Sequence, residues 1–186
     1  FSGGDEPDGS AKLITSFFRS GQVKEQVNEL LKNRDGLMLG VCNGFQALIK
    51  LGLVPYGEIV DTDETCPTLT FNTIGRHQSR LVRTRVASNQ SPWLMKTQPG
   101  EIYTVPISHG ERGQIATQYV DLAGNPTSDI HYNPNNSVWA IEGITSPDGR
   151  VFGKMGHSER TGPGLYRNVP GDYDMKLFRA AVEYFQ

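Results

Sequence analysis

The order of apolar patterns along the chain predicts an α/β domain, and three observations carry that prediction. Amphipathic helical patterns come first, over Ala11 to about Arg19 and over Val23 to Leu31. A continuous apolar run, Gly36-Leu-Met-Leu-Gly-Val41, follows and leads straight into another helical pattern. Segments of alternating β character then fill most of the remaining chain. Helices around one buried strand, with several β segments after it, describe a central sheet with an added β portion.

Each element has a local reason. The chain opens at Phe1-Ser-Gly-Gly-Asp-Glu-Pro-Asp-Gly-Ser10, a Gly/Asp/Pro-rich loop without an initiator Met, and reads as a piece of something longer. Asp8 or Ser10 is a candidate cap for the first helix, and Gly21 separates it from the second. After the apolar run, a helix is expected from Asn43 to about Leu51. The β segments are Thr68 to Thr73, Arg80 to Val86, Glu101 to Ile107, Gln114 to Val120, Val138 to Ile144 and Arg150 to Met155. Asn133-Pro-Asn135 and Pro147-Asp-Gly149 are turn signals between them. A last helix is expected from about Asp172 to Phe185, and there is no internal repeat or low-complexity stretch.

Composition narrows the function. With 186 residues, 37% of them hydrophobic, residues 1–186 form one domain with a real core. Eighteen Lys and Arg against 20 Asp and Glu leave a net charge of −2, which gives no pull toward nucleic acid or an anionic membrane. Small neutral or zwitterionic ligands fit better. Two cysteines, Cys42 and Cys66, build no disulfide framework and point to a reducing, cytoplasmic setting. There is no metal-ligand spacing, and no apolar run is long enough to span a bilayer. The Gly3-Gly-Asp-Glu-Pro-Asp-Gly9 run lacks the lysine of a phosphate-binding loop.

The chemistry gathers at Gly40-Val-Cys42-Asn-Gly44. A strand, a sharp turn through one residue and a helix make a nucleophile elbow, with Gly40 and Gly44 where a Cβ would crowd the turn. The helix N-terminus at the sulfur favours a thiolate. A buried structural cysteine after a strand fits the same pattern. A cysteine nucleophile needs a base and a group that orients the base. Met155-Gly-His157-Ser-Glu159-Arg, just past a predicted strand, offers both if the segment stays extended, so that His157 and Glu159 project to one side. A solvated loop is the alternative. His109 is the other histidine at a strand end, whereas His77 and His131 have no partner pattern and are expected at the surface. Cys66 beside Pro67 is expected to be inert. Arg76, Arg80, Arg83 and Arg85 are the one basic cluster, a solvated strand face or a docking surface.

Gly-Val-Cys42-Asn-Gly-Phe-Gln46 with His157-Ser-Glu159-Arg resembles the class I glutamine amidotransferases. More narrowly, Phe1-Ser-Gly-Gly-Asp, Cys42-Asn-Gly-Phe-Gln, Ser108-His-Gly-Glu111 and Asn133-Pro-Asn are similar, in order, to the glutaminase domains of phosphoribosylformylglycinamidine synthases of the large single-chain form. The resemblance implies a flavodoxin-like, mostly parallel central sheet with flanking helices. It makes Cys42 the nucleophile, His157 the base and Glu159 its orienting carboxylate. Gln46 and Ser108, His109 and Gly110 would hold the substrate glutamine, and the Asn43 N–H would be one oxyanion donor. Gly156 and Ser158 stand where many relatives have the prolines of Pro-His-Pro-Glu-Arg, which removes rigidity around the two functional side chains.

The resemblance also implies a partner. Ammonia would pass to a synthetase domain of the same parent enzyme, and ATP and Mg would bind there, with no cofactor in this domain. Phe1 follows the position of the family's Gly-Gly pair, so the family's N-terminal strands and second oxyanion donor are expected to be missing, and the piece alone to have little activity. Two other functions keep the fold: an amidotransferase domain serving a different pathway, and a non-catalytic docking domain. Labelling of Cys42 by a thiol-reactive glutamine analogue separates enzyme from docking domain.

Overall fold

The computed structural model describes residues 11–61, 80–107, 114–134, 136–162 and 164–186. Helix α1 is Lys12–Phe18. Ala11 takes its cap position in a left-handed conformation, φ 62°, and Asp8 and Ser10, expected there, lie outside the described residues. Helix α2, Gly21–Asn28, starts two residues before the expected Val23 because Ser20 sits extended at its cap and Gly21 continues as helix. It runs into a wider turn, Glu29–Asn33, where the Arg34 N–H reaches back to the Glu29 carbonyl at 3.1 Å and ends the helical run.

Strand β1, Met38–Val41, is the apolar run, and α3, Asn43–Lys50, leaves it after the single residue Cys42. A one-turn helix α4, Leu53–Tyr56, follows, with no forerunner in the sequence reading. Strands β2, Arg80–Val86, β3, Ile102–Ile107, and β4, Gln114–Val120, fall where alternation puts them. The expected strand over Thr68 to Thr73 lies outside the described residues. Strand β5 is Ile141–Thr145 and not Val138 to Ile144, because Trp139 and Ala140 take positive φ, 55° and 57°, which no strand accommodates. Strand β6 is Val151–Lys154.

Helix α5, Leu177–Tyr184, starts five residues later than expected. The intervening acidic residues bond their own backbone instead. Asp172 accepts from the Asp174 N–H at 3.1 Å, Asp174 accepts from the Lys176 N–H at 2.8 Å, and Lys176 turns left-handed before the helix begins.

The six strands lie in the order β1-β6-β5-β4-β2-β3. The expectation of a mostly parallel sheet needs correction for these strands: β1 and β6 run parallel, and the other four pairings are antiparallel. Strands joined by short turns must reverse, as β5 does through Ser146-Pro-Asp-Gly149 into β6, whereas a parallel pair needs a long crossover. That crossover exists between β1 and β6, which are far apart in sequence. Side chains alternate across the sheet and define two cores. Met38 and Val151 pack on one face with Phe45, Leu48 and Ile49 of α3, and Leu39 and Phe152 pack on the other with Leu94, Tyr119 and Leu177 of α5. Helices flank both faces, and the carboxyl ends of β1 and β6 emerge side by side.

Candidate active site

The parallel pairing of β1 and β6 decides what meets. Val41 is in register with Lys154, and the Cys42 N–H donates to the Lys154 carbonyl at 2.9 Å, so the residues that leave the two strands share one crevice. Cys42 turns the chain with φ 55° and ψ −113°, and Asn43 opens α3 immediately after it. This is a strained strand-turn-helix elbow, and a non-glycine residue held there costs about 1–3 kcal/mol. Gly40 makes the turn possible: a Cβ on it would lie 2.8 Å from the Gly44 carbonyl carbon and oxygen. Every residue of α3 from Asn43 to Ile49 is buried, so packing on all sides fixes the helix N-terminus at the sulfur.

His157 follows β6 and is only 1% exposed. Its N–H donates to the Pro106 carbonyl at the end of β3, 2.7 Å away. Beyond it the chain does not stay extended. The Arg160 N–H closes a turn onto the His157 carbonyl at 3.0 Å, and that turn, not strand alternation, folds Glu159 back onto the imidazole. Glu159 Oε1 lies 2.5 Å from His157 Nδ1, which leaves Nε2 for the Cys42 thiol. Burial pushes the imidazole down, but its hydrogen bonds to Cys42 and Glu159 and its electrostatic attraction to both outweigh it and raise it to about 9. Burial likewise pushes the Glu159 carboxyl up, and the His157 hydrogen bond and charge, aided by Arg160, hold it below the usual carboxylate range. An imidazole raised this far carries its proton at neutral pH and faces the sulfur as a cation.

Gln46, one turn into α3, is buried, and its amide oxygen has no hydrogen bond among the described residues. Leaving a buried amide unpaired costs about 1–3 kcal/mol. Ser108, His109, Gly110, Cys66, Arg76 and His77 lie outside the described residues. His131 is exposed, as expected, and bonds Asp129 at 2.8 Å. The arginines of β2 are neither free nor merely solvated: Arg80 donates to the Ile130 carbonyl, Arg83 to Leu122 and Arg85 to the Gln118 side chain. Asn133 is fully buried and ties the loop before β5 by bonds to Thr127 and Ser137. Among the described residues no three His, Cys, Asp or Glu side chains gather as a metal site, and no helix is long and apolar enough to cross a membrane.

Sequence reading missed one group beside His157. Glu142 of β5 and Lys154 of β6 form a wholly buried ion pair, Nζ to Oε1 3.2 Å. The signal was present as a charge inside each of two apolar strands, Ile141-Glu-Gly-Ile144 and Val151-Phe-Gly-Lys-Met155.

A family model for the CobB/CobQ-like glutamine amidotransferase domain matches residues 1–185. The chain belongs to this family. A relative in Pseudothermotoga lettingae, phosphoribosylformylglycinamidine synthase subunit PurQ, is 34% identical over 179 residues, covering 90% of this chain and 69% of the relative. PurQ of Methanococcus maripaludis strain S2 is 30% identical and covers the whole chain and 78% of the relative. Among solved structures, PurLQS from Thermotoga maritima aligns with a TM-score of 0.67 at 24% identity, over 92% of this chain and 72% of that one, which establishes the shared fold. The motif resemblance to glutamine amidotransferases, and to the phosphoribosylformylglycinamidine synthase branch, therefore holds.

Proposed function

We propose that this domain hydrolyses the side-chain amide of glutamine and delivers the ammonia to a synthetase that uses ATP to convert formylglycinamide ribonucleotide to its amidine. The single observation that carries the chemistry is the meeting of a strained, helix-capping cysteine with a buried histidine bonded to the half-buried Glu159 across β1 and β6. Cys42 Sγ attacks the amide carbon, and the electron pair of the C=O moves onto oxygen. The Asn43 N–H, the first amide after the nucleophile, is aimed at that charge. His157, protonated, gives its proton to the departing nitrogen as the C–N bond breaks, releasing ammonia and leaving a glutamyl thioester. The neutral imidazole then takes a proton from water, whose oxygen attacks the thioester, and glutamate leaves as Sγ regains its place beside the imidazolium. Glu159 holds Nδ1–H throughout and so fixes the tautomer that presents Nε2 to sulfur. Gln46 contacts the substrate from α3, and Ser108, His109 and Gly110 hold its amino-acid end.

The acceptor assignment rests on the PurQ relatives and on the ordered motifs. Those relatives are named as subunits, whereas the motif resemblance favours a synthetase in the same polypeptide. The length of the native polypeptide tests that part. The chemistry is tested by Cys42→Ala in the intact synthase: glutamine-dependent synthesis should vanish while synthesis from added ammonium persists, because only the ammonia source uses the thiolate. Equal loss of both activities would make Cys42 structural.

A further inference from the structure

The two residues that flank His157, Gly156 and Ser158, are both tied down from below. Lys154 Nζ donates to the Gly156 carbonyl and to Ser158 Oγ, each at 2.9 Å, and contacts Glu142 Oε1 at 3.2 Å. Those three acceptors use all three N–H bonds of the ammonium. Glu142 answers from the other side: Oε1 accepts the Gly156 N–H at 2.6 Å and Oε2 accepts the Thr117 hydroxyl at 2.5 Å. The network thus runs through the Gly156 N–H and carbonyl and the Ser158 hydroxyl, groups on both sides of His157. A Cβ at Gly156 would also lie 2.8 Å from Glu142 Oε1, so the carboxylate occupies the space that a side chain there would need.

The energetics argue that the pair is kept for geometry. Burying two charges costs several kcal/mol per ion, and apolar residues of similar volume are often as stable or more so. An apolar residue at 154 would suit the strand Val151-Phe-Gly-x-Met155. Neither Glu142 nor Lys154 is expected to touch glutamine, since both side chains are fully buried.

We propose that Lys154 and Glu142 are positioning residues that hold the Gly156-His157-Ser158 segment, so that the imidazole meets both Cys42 and Glu159. The proposal rests on the glutaminase reading of the site. Its test uses the intact synthase with three sets of variants. Lys154→Met/Glu142→Gln removes both charges without stranding either, and should lower glutamine-dependent kcat by about 10- to 100-fold, as sub-ångström to ångström misplacement does, with KM for glutamine and ammonium-driven synthesis unchanged. A folded double variant with wild-type kcat, or one whose loss lies in KM, overturns the proposal. Ser158→Ala removes one hydroxyl and leaves the ion pair, so it decides the matter if the double variant fails to fold. It should lower kcat, and Ser158→Thr should restore it, whereas an unchanged Ser158→Ala overturns the proposal. Cys42→Ala separates the two levels: if it keeps glutamine-dependent turnover the glutaminase reading itself fails, and if it is inactive while the Lys154 and Ser158 variants run normally, only the positioning role fails.

Discussion

Cys42 stores strain that the neighbouring glycine makes tolerable. The turn closes only because the Gly40 backbone lies against that of Gly44, and Gly40→Ala would set a methyl 2.8 Å from the Gly44 carbonyl. The first turn of α3 must then shift, carrying Sγ and the Asn43 N–H with it, and a fall in glutamine-dependent kcat of about 10²-fold is expected in an otherwise folded protein. Steady-state kinetics with a circular dichroism control measure this. At His157 the prediction concerns pH. Its folded-state value of about 9 lies above the ordinary 6.5, so the bonds to the imidazolium stabilise the fold fully below pH 6.5, and this contribution is lost as pH rises through about 9. Activity that needs the imidazolium to protonate the leaving nitrogen falls over the same alkaline limb, which the pH profile of kcat/KM reports. In Glu159→Gln one of the two raising partners loses its charge, so the limb should move toward neutrality and kcat should drop by of the order of 10²-fold or more. A Glu159→Gln enzyme with the wild-type limb would show that Cys42 alone sets the imidazole.

Elements were legible where a local pattern determines them and illegible where backbone bonding or distant pairing does. Strands β2 and β4 alternate cleanly, and their predicted ends coincide with the observed ones. The loop before β5 shows the opposite case, since one buried side chain governs it. Asn133 donates to the Thr127 and Ser137 carbonyls and accepts from the Ser137 N–H and hydroxyl. Asn133→Ala should cost about 2–3 kcal/mol by leaving those buried groups unpaired, a loss that denaturant titration would register as a lower midpoint at unchanged slope. No periodicity encodes such a knot, so the turn signal at Asn133 was readable and the delayed start of β5 was not. The site divides in the same way. Cys42, Gln46, His157 and Glu159 sit in two short motifs and were named from them, although the condition that the chain stay extended from His157 to Glu159 is not met and a turn joins them instead. Glu142 and Lys154 escaped because their partnership depends on the pairing of β5 with β6, and a single sequence does not display strand neighbours.

At the scale of the whole molecule, the two cores on opposite faces of the sheet do different work. The face under α3 includes Phe45, three residues past Cys42, whose ring fills the space above Gly153 of β6. It thus braces the elbow helix against the strand that leads to His157. The other face contains Leu94, which packs beneath α5. Both side chains are fully buried, so truncation of either to Ala leaves a cavity, costing about 3–5 kcal/mol for Phe45 and about 2–5 kcal/mol for Leu94. Stability alone therefore does not distinguish them. Function should: well below the melting temperature, Leu94→Ala is expected to keep the wild-type kcat with glutamine, because β1, β6 and α3 remain in register, whereas Phe45→Ala is expected to lose about 10-fold or more as α3 settles toward the vacated space. Thermal melts paired with glutamate-release rates measure the two quantities on the same samples. Proportional losses of rate and stability in both variants would show that the sheet transmits core damage uniformly; loss of rate in Phe45→Ala alone would show that catalytic alignment depends on the α3 face, with the opposite face serving only to keep the sheet folded.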